Sequence, residues 1–205
     1  MTRIKFCGMR RPEDITVANE IKPEYVGFVL APRFWRHISR ETTKALKTAL
    51  SPEIQAVGVF VDNPFEEVLS YLQSGIIDIA QLHGHEDNEF IKRIQSESGK
   101  KVIKAFKITS AEDLERAYNS PADMVLLDSG TGTGELFDHS LIRGFGREYF
   151  LAGGLDPENV GEAVRSLAPY AVDVSSGIET DKIKNKEKMR AFAQAVRTNA
   201  GTTSL

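Results

Sequence analysis

The sequence predicts an α/β fold, a single-domain (β/α)8 barrel with few insertions. Three observations carry this. Eight short apolar runs recur along the chain, amphipathic helical patterns separate them, and successive runs start roughly 21–31 residues apart. That period suits one βα unit feeding a parallel neighbour. The runs are rich in Val, Ile and Leu and mostly lack strict alternation, which marks strands covered on both faces. The chain has 205 residues, close to the lower end of the barrel's usual length, about 200. A doubly wound open sheet shares the pattern and stands as the structural alternative.

In chain order, the first run is Ile4–Phe6, and a weak helical pattern follows Pro12. Tyr25–Leu30 is next. Ser39 then caps a stripe of Thr42, Ala45, Leu46, Ala49 and Leu50. Ala56–Val61 precedes Pro64, which opens a helix with Phe65, Val68, Leu69 and Leu72 on one face. Ile77–Leu82 leads to a weak pattern after Asp87. Val102–Phe106 leads to Ser110 and Asp113, spaced as a capping box. Met124–Leu127 is followed by a weak pattern after Asp138. Tyr149–Ala152 precedes Asp156-Pro157, which starts a helix with Val160, Ala163, Val164 and Leu167 inward. Ala171–Val174 is the eighth run, and the last helix carries Met189, Phe192, Ala193 and Val196. The barrel spans residues 1–198, and 199–205 form a small, polar, frayed tail.

Composition narrows the function. With 26 basic and 29 acidic residues the net charge is −3, so no positive excess drives binding to nucleic acid or anionic membranes. No apolar run reaches the roughly 18 residues of a membrane span, and the start, Met1-Thr2-Arg3-Ile4-Lys5-Phe6, lacks a signal peptide's apolar core. One cysteine, Cys7, excludes an internal disulfide and a multi-cysteine zinc site. A cytoplasmic protein acting on a small molecule is expected.

Nucleotide motifs fail. The first run ends Cys7-Gly8-Met9-Arg10, not Gly-x-Gly-x-x-Gly, and there is no Walker A sequence. Chemistry in a barrel gathers where strands end. Those positions hold Cys7, Arg33 and Arg36, Asp62, His83, Lys107, Asp128, Gly153-Gly154 and Ser175-Ser176-Gly177. Cys7 is either a thiolate base or a small buried hydrophobe. Asp128 is either an acid–base group or a loop cap. The stretch Ser129–Gly134 reads as a loop able to close over a site. Gly153-Gly154 and Ser175-Ser176-Gly177 fall after the seventh and eighth runs, where such barrels bind phosphate on backbone N–H groups. Arg33, Arg36 and Arg40 surround Phe34 and Trp35, and a fixed arginine can grip a carboxylate. His83-Gly84-His85-Glu86 offers metal-ligand types, but no third and fourth ligand can be named, so no metal is expected. Lys104 and Lys107 are Schiff-base candidates or ion-pair partners.

Together these residues resemble the phosphoribosylanthranilate isomerase family of tryptophan biosynthesis. The likeness runs from Lys5-Phe6-Cys7-Gly8 and Glu13-Asp14 through Gly58-Val59-Phe60-Val61 and Gln81-Leu82-His83-Gly84. It continues in Leu127-Asp128, Gly132-Thr133-Gly134, Ala152-Gly153-Gly154-Leu155, Pro157-Glu158-Asn159-Val160 and Asp173-Val174-Ser175-Ser176-Gly177-Ile178-Glu179. The ordered set is specific although each piece is weak. The resemblance implies a barrel without cofactor or metal that performs an Amadori rearrangement of N-(5-phosphoribosyl)anthranilate. Cys7 would then match the family's base and Asp128 its acid. Arg36 would hold the anthranilate carboxylate, and Gly153, Gly154, Ser175, Ser176 and Gly177 the phosphate. Gln81 and His83 would be further residues around the substrate. A monomer or homodimer is expected. The sequence departs from the family's usual residues at Phe34, at His139 and at Lys182-Ile183. Two rival functions share the features: a Schiff-base lyase using Lys104 or Lys107, and a non-catalytic phosphate-ligand sensor.

Overall fold

The computed structural model describes residues 1–128 and 142–199. Within them eight parallel strands close into a barrel, each paired to the next in sequence and the last to the first. The closed order removes the open-sheet alternative. The strands are β1 (Arg3–Cys7), β2 (Tyr25–Val29), β3 (Gln55–Phe60), β4 (Ile79–Leu82), β5 (Val102–Lys107), β6 (Met124–Asp128), β7 (Tyr149–Ala152) and β8 (Ala171–Val174). Around them lie α1 (Pro12–Ile21), α2 (Arg40–Ala49), α3 (Phe65–Gln73), α4 (Asn88–Ser98), α5 (Ala111–Tyr118), α6 (Val160–Leu167) and α7 (Lys186–Asn199). The glycine-rich stretch after Asp128, the helix expected after Asp138, and residues 200–205 lie outside the described residues. Asn199, expected in the tail, instead ends α7, its amide donating to Ala195 O at 2.7 Å.

Strand parity divides the core. Alternate side chains point outward and pack beneath the helices, among them Ile4, Phe6, Phe28, Phe60, Leu82 and Val172. Their neighbours point inward and fill the barrel floor with Tyr25, Val57, Ile79, Ile103, Leu126 and Phe150. Burying one such Leu, Ile or Phe contributes about 1.5–3 kcal/mol. Moving up the inward row of β1 and β8 changes the chemistry: Lys5 and Cys7 follow Arg3, and Asp173 follows Ala171. The β1–β8 register sets Lys5 opposite Asp173.

Side-chain caps explain where α2, α4 and α5 begin. Ser39 Oγ accepts from Thr42 N, and Asp87 Oδ1 accepts from Phe90 N at 2.8 Å. Ser110 and Asp113 form the expected capping box. Helix α6 differs, beginning at Val160 rather than at Asp156-Pro157. The Asp156 carboxylate accepts from Glu158 N and Asn159 N, and Asn159 Oδ1 accepts from Asp156 N. These side-chain bonds hold residues 156–159 as a turn before the helical ladder starts.

A hairpin of β9 (Glu179–Thr180) and β10 (Ile183–Lys184) follows β8, and the sequence reading did not foresee it. Its turn residues Asp181 and Lys182 both have positive φ, 50° and 62°. That is the geometry of a two-residue hairpin turn, which usually selects Asn or Gly. The hairpin brings Lys184 back to the residue after β8, where its ammonium donates to Ser175 O.

Candidate active site

Cys7 ends β1 with its side chain turned into the barrel mouth. Its Sγ fits because β2 has no side chain opposite: a Cβ on Gly27 would lie 2.8 Å from Sγ and 3.2 Å from Lys5 Nζ. Lys5 is fully buried one step below, and its ammonium donates to Asp173 Oδ1 at 2.8 Å. Burial pushes the Cys7 thiol above its ordinary range; Lys5 and Lys184 pull it down, while Asp173 adds to the rise. Burial alone would lower the Lys5 ammonium, but Asp173 and the Cys7 sulfur outweigh it and hold the charge in place. A buried ammonium fixed beside a thiol stabilises thiolate.

Across the mouth, Asp128 ends β6. Its carboxylate lies 3.5 Å from His83 Nε2. His83 Nδ1 in turn meets Gln81 Nε2 at 3.1 Å. Gln81 is 1% exposed, and its Oε1 is the one buried side-chain polar atom with no hydrogen-bond partner among the described residues. Both residues point inward from the β4 row, which begins at Ile79.

Two further loops line the cavity. Gly153 and Gly154 follow β7 with φ of 99° and 64°, a conformation that side-chain-bearing residues resist. Ser175 follows β8, and its Oγ donates to Cys7 O at 3.1 Å. Gly177 sits where the two loops meet: a Cβ there would lie 2.0 Å from Leu155 O. It therefore lets the two loops pack together rather than reaching the cavity itself.

Of the three clustered arginines only Arg36 reaches the mouth. Its Nε and Nη2 donate to Glu179, and its guanidinium lies 4.2 Å from the centre of the Trp35 ring. Arg33 pairs with Asp62 at 3.0 Å, and Arg40 bonds Ser70 O and Ser74 Oγ. A cavity of about 350 Å³ joins Cys7, Arg36, Gln81, His83, Asp128, Gly153, Gly154, Asp173, Ser175 and Ser176, with Phe34 and Trp35 at its edge.

The other candidates fall elsewhere. Lys104 is buried on Gly84 O and Glu86, and exposed Lys107 opens onto a neighbouring groove. Neither lines the cavity, which removes the geometric basis for a Schiff base there. His83 and His85 diverge, one toward Asp128 and one toward Asp62. Among the described residues no three His, Cys, Asp or Glu side chains converge to hold a metal ion.

The family model for N-(5'-phosphoribosyl)anthranilate (PRA) isomerase matches residues 4–195. The chain belongs to the phosphoribosylanthranilate isomerase family. An isomerase of this name from Thermoanaerobacter sp. (strain X514) is 42% identical, over 96% of this chain and 98% of that protein. Another, from Lacticaseibacillus casei (strain BL23), is 43% identical over 95% and 94%. The solved phosphoribosylanthranilate isomerase of Thermotoga maritima superposes with a TM-score of 0.89 at 36% identity, covering 97% of this chain and 100% of that one. A solved structure of phosphoribosylanthranilate isomerase in complex with reduced 1-(o-carboxyphenylamino)-1-deoxyribulose 5-phosphate superposes with a TM-score of 0.87 at 36% identity, covering 97% of this chain and 100% of that one.

Four residues around this isomerase-family cavity escaped the sequence reading: Lys5, Asp173, Glu179 and Lys184. A signal existed for the first two. Each places a charge inside an otherwise apolar run, Ile4-Lys5-Phe6 and Val172-Asp173-Val174. A charge at such a position must find a partner across the barrel. Glu179 and Lys184 lie in a polar hairpin and carried no such mark.

Proposed function

We propose that this chain catalyses its family's reaction, the Amadori rearrangement of N-(5-phosphoribosyl)anthranilate to 1-(2-carboxyphenylamino)-1-deoxyribulose 5-phosphate, in the cytoplasm, without cofactor or metal. The observation that carries it is the single cavity in which a thiol, a carboxyl group, an arginine and two glycine-rich or serine-rich loops face one another.

In this reading Asp128 delivers a proton to the furanose ring oxygen as the bond from C1 to that oxygen breaks, leaving an iminium between C1 and nitrogen. Cys7, as thiolate, takes the proton from C2. The resulting enolamine gains a proton at C1 as C2 becomes the ketone. Acid and base must start in opposite protonation states. The buried Lys5 ammonium supports the thiolate form of Cys7. His83, 3.5 Å away, orients the Asp128 carboxyl group. The orphaned Gln81 Oε1 accepts from a ribose hydroxyl, which removes its unpaired state on binding.

The backbone N–H groups beside Gly153, Gly154, Ser175 and Ser176 grip the phosphate, and Arg36 grips the carboxylate. Holding both ends fixes the sugar between acid and base. A relative from Thermotoga maritima is dimeric; this chain acts as a monomer or homodimer. The deciding experiment generates phosphoribosylanthranilate in situ and follows loss of its fluorescence. Turnover without added metal supports the reading. Ligand binding without turnover, or a borohydride-trapped lysine adduct, overturns it.

A further inference from the structure

The carboxylate grip is already occupied on one side. Arg36 Nε donates to Glu179 Oε1 at 3.0 Å, and Arg36 Nη2 donates to Glu179 Oε2 at 2.7 Å. A guanidinium offers a carboxylate two bidentate edges, Nε with Nη2 and Nη1 with Nη2. Glu179 takes the first. The Trp35 ring lies against the guanidinium face, which limits its rotation.

Glu179 is itself pinned. Its side chain is 8% exposed, and Oε1 also accepts from Lys184 Nζ at 2.7 Å. Lys184 Nζ continues to Ser175 O at 2.9 Å, on the loop after β8. Lys188 Nζ donates to the Glu179 carbonyl at 2.8 Å. Glu179 does not line the cavity, although Arg36 does. An arginine bonded along one edge and stacked on one face has lost its rotamer freedom before any ligand arrives, so binding need not supply that ordering.

We propose that Glu179 is the positioning residue for carboxylate recognition: by holding the Nε–Nη2 edge of Arg36 it leaves the Nη1–Nη2 edge as the one bidentate seat for the anthranilate carboxylate. The inference rests on the function proposed above and names what sets its substrate specificity. Glu179 acts through Arg36 and touches no substrate atom. The Glu179→Gln amide keeps the shape but turns N–H donors toward a guanidinium that has only donors, so the edge is released.

The test uses the full chain and two probes: reduced 1-(o-carboxyphenylamino)-1-deoxyribulose 5-phosphate, and the same molecule lacking the ring carboxylate. Glu179→Gln is expected to weaken the carboxylated probe about tenfold or more and the carboxylate-free probe less than about twofold, with KM rising more than kcat falls. Glu179→Asp keeps the charge and shortens the reach, so it shows a smaller loss, again confined to the carboxylated probe. In an Arg36→Ala background, Glu179→Gln causes no further loss. Equal weakening of both probes by either variant identifies a fold defect and overturns the proposal. Tighter binding of the carboxylated probe by Glu179→Gln also overturns it, since Glu179 is then a placeholder that the ligand displaces. A tenfold loss persisting without Arg36 does the same. Failure of the functional reading shows separately in the wild-type protein, as no turnover and no preference for the carboxylated probe; that result overturns both.

Discussion

Cys7 is the chain's one thiol, and opposed influences act on it. Burial holds its proton on, and the Lys5 and Lys184 ammonium groups favour its loss. Lys5→Met removes the nearer cation, so the thiol's proton affinity climbs further. Iodoacetamide labelling of Cys7, read by mass spectrometry across pH, is expected to require higher pH in Lys5→Met than in wild type; an unmoved profile would separate Lys5 from the thiol's chemistry. Cys7→Ser keeps a small buried group but offers a far weaker acid. Its turnover is expected to fall about 10²–10⁴-fold, with the product analogue still bound. Asp128→Asn should show the same split between kcat and affinity, and loss of analogue binding there would reassign Asp128 to binding. The arginines give an internal control. Arg36→Ala and, less severely, Arg36→Lys are expected to depress kcat/KM, because lysine cannot reproduce a planar fork. Arg33→Ala is expected to be mild, its partner being Asp62 outside the cavity. Equal, salt-sensitive losses at both arginines would leave the carboxylate without an assigned partner.

At the scale of elements, the strands were legible because a parallel strand buried on both faces writes itself as a continuous apolar run. Tyr149–Ala152 and Ala171–Val174 match the runs residue for residue. Helix starts were legible where a single side chain caps the backbone, as at Ser39 and Ser110. Reading failed where side chains build a turn ahead of the helix, at residues 156–159, and where a hairpin turn lacks glycine, at Asp181-Lys182. The hairpin's polar sequence hides that Lys184 is buried. The loops after β7 and β8 were placed by their glycines, but those glycines serve different ends. Gly177 removes a clash with Leu155 O, whereas Gly154 has open space around it and supplies a positive φ. Gly177→Ala is therefore expected to destabilise through overpacking, by about 1–3 kcal/mol or more. Gly154→Ala should cost about 1–2 kcal/mol through backbone conformation alone. Urea midpoints of the two variants check this, and Gly177→Ala should also raise KM by separating the paired loops.

For the whole molecule, the Arg36–Glu179–Lys184 chain links acid stability to the site. Burial would raise the Glu179 carboxyl group, but hydrogen bonds from Arg36 and Lys184 outweigh it and hold the group below its ordinary 4.5. A carboxyl group lowered on folding adds stability above its unfolded value, and that stability is lost as pH falls through the folded value. Wild type should therefore exceed Glu179→Gln in urea midpoint near neutrality, and the two midpoints should converge below pH 4.5. Parallel midpoints down to lower pH would show that the ion pair contributes nothing to the acid limb.

Barrel closure also orders events in time. Lys5 and Cys7 stand on the first strand, and the groups that neutralise or brace them, Asp173, Ser175 and Lys184, stand on or just after the last. During synthesis the strand that bears the proposed base is made well before the one that completes its electrostatic surroundings. Until β8 docks, the Lys5 ammonium has no carboxylate opposite it, and desolvating it alone is costly. The seam between β1 and β8 therefore cannot seal until β8 has been made. A chain without β8 lacks the Asp173 and Ser175 contacts to Lys5 and Cys7, so the thiol gains its full surroundings only when the ring is complete.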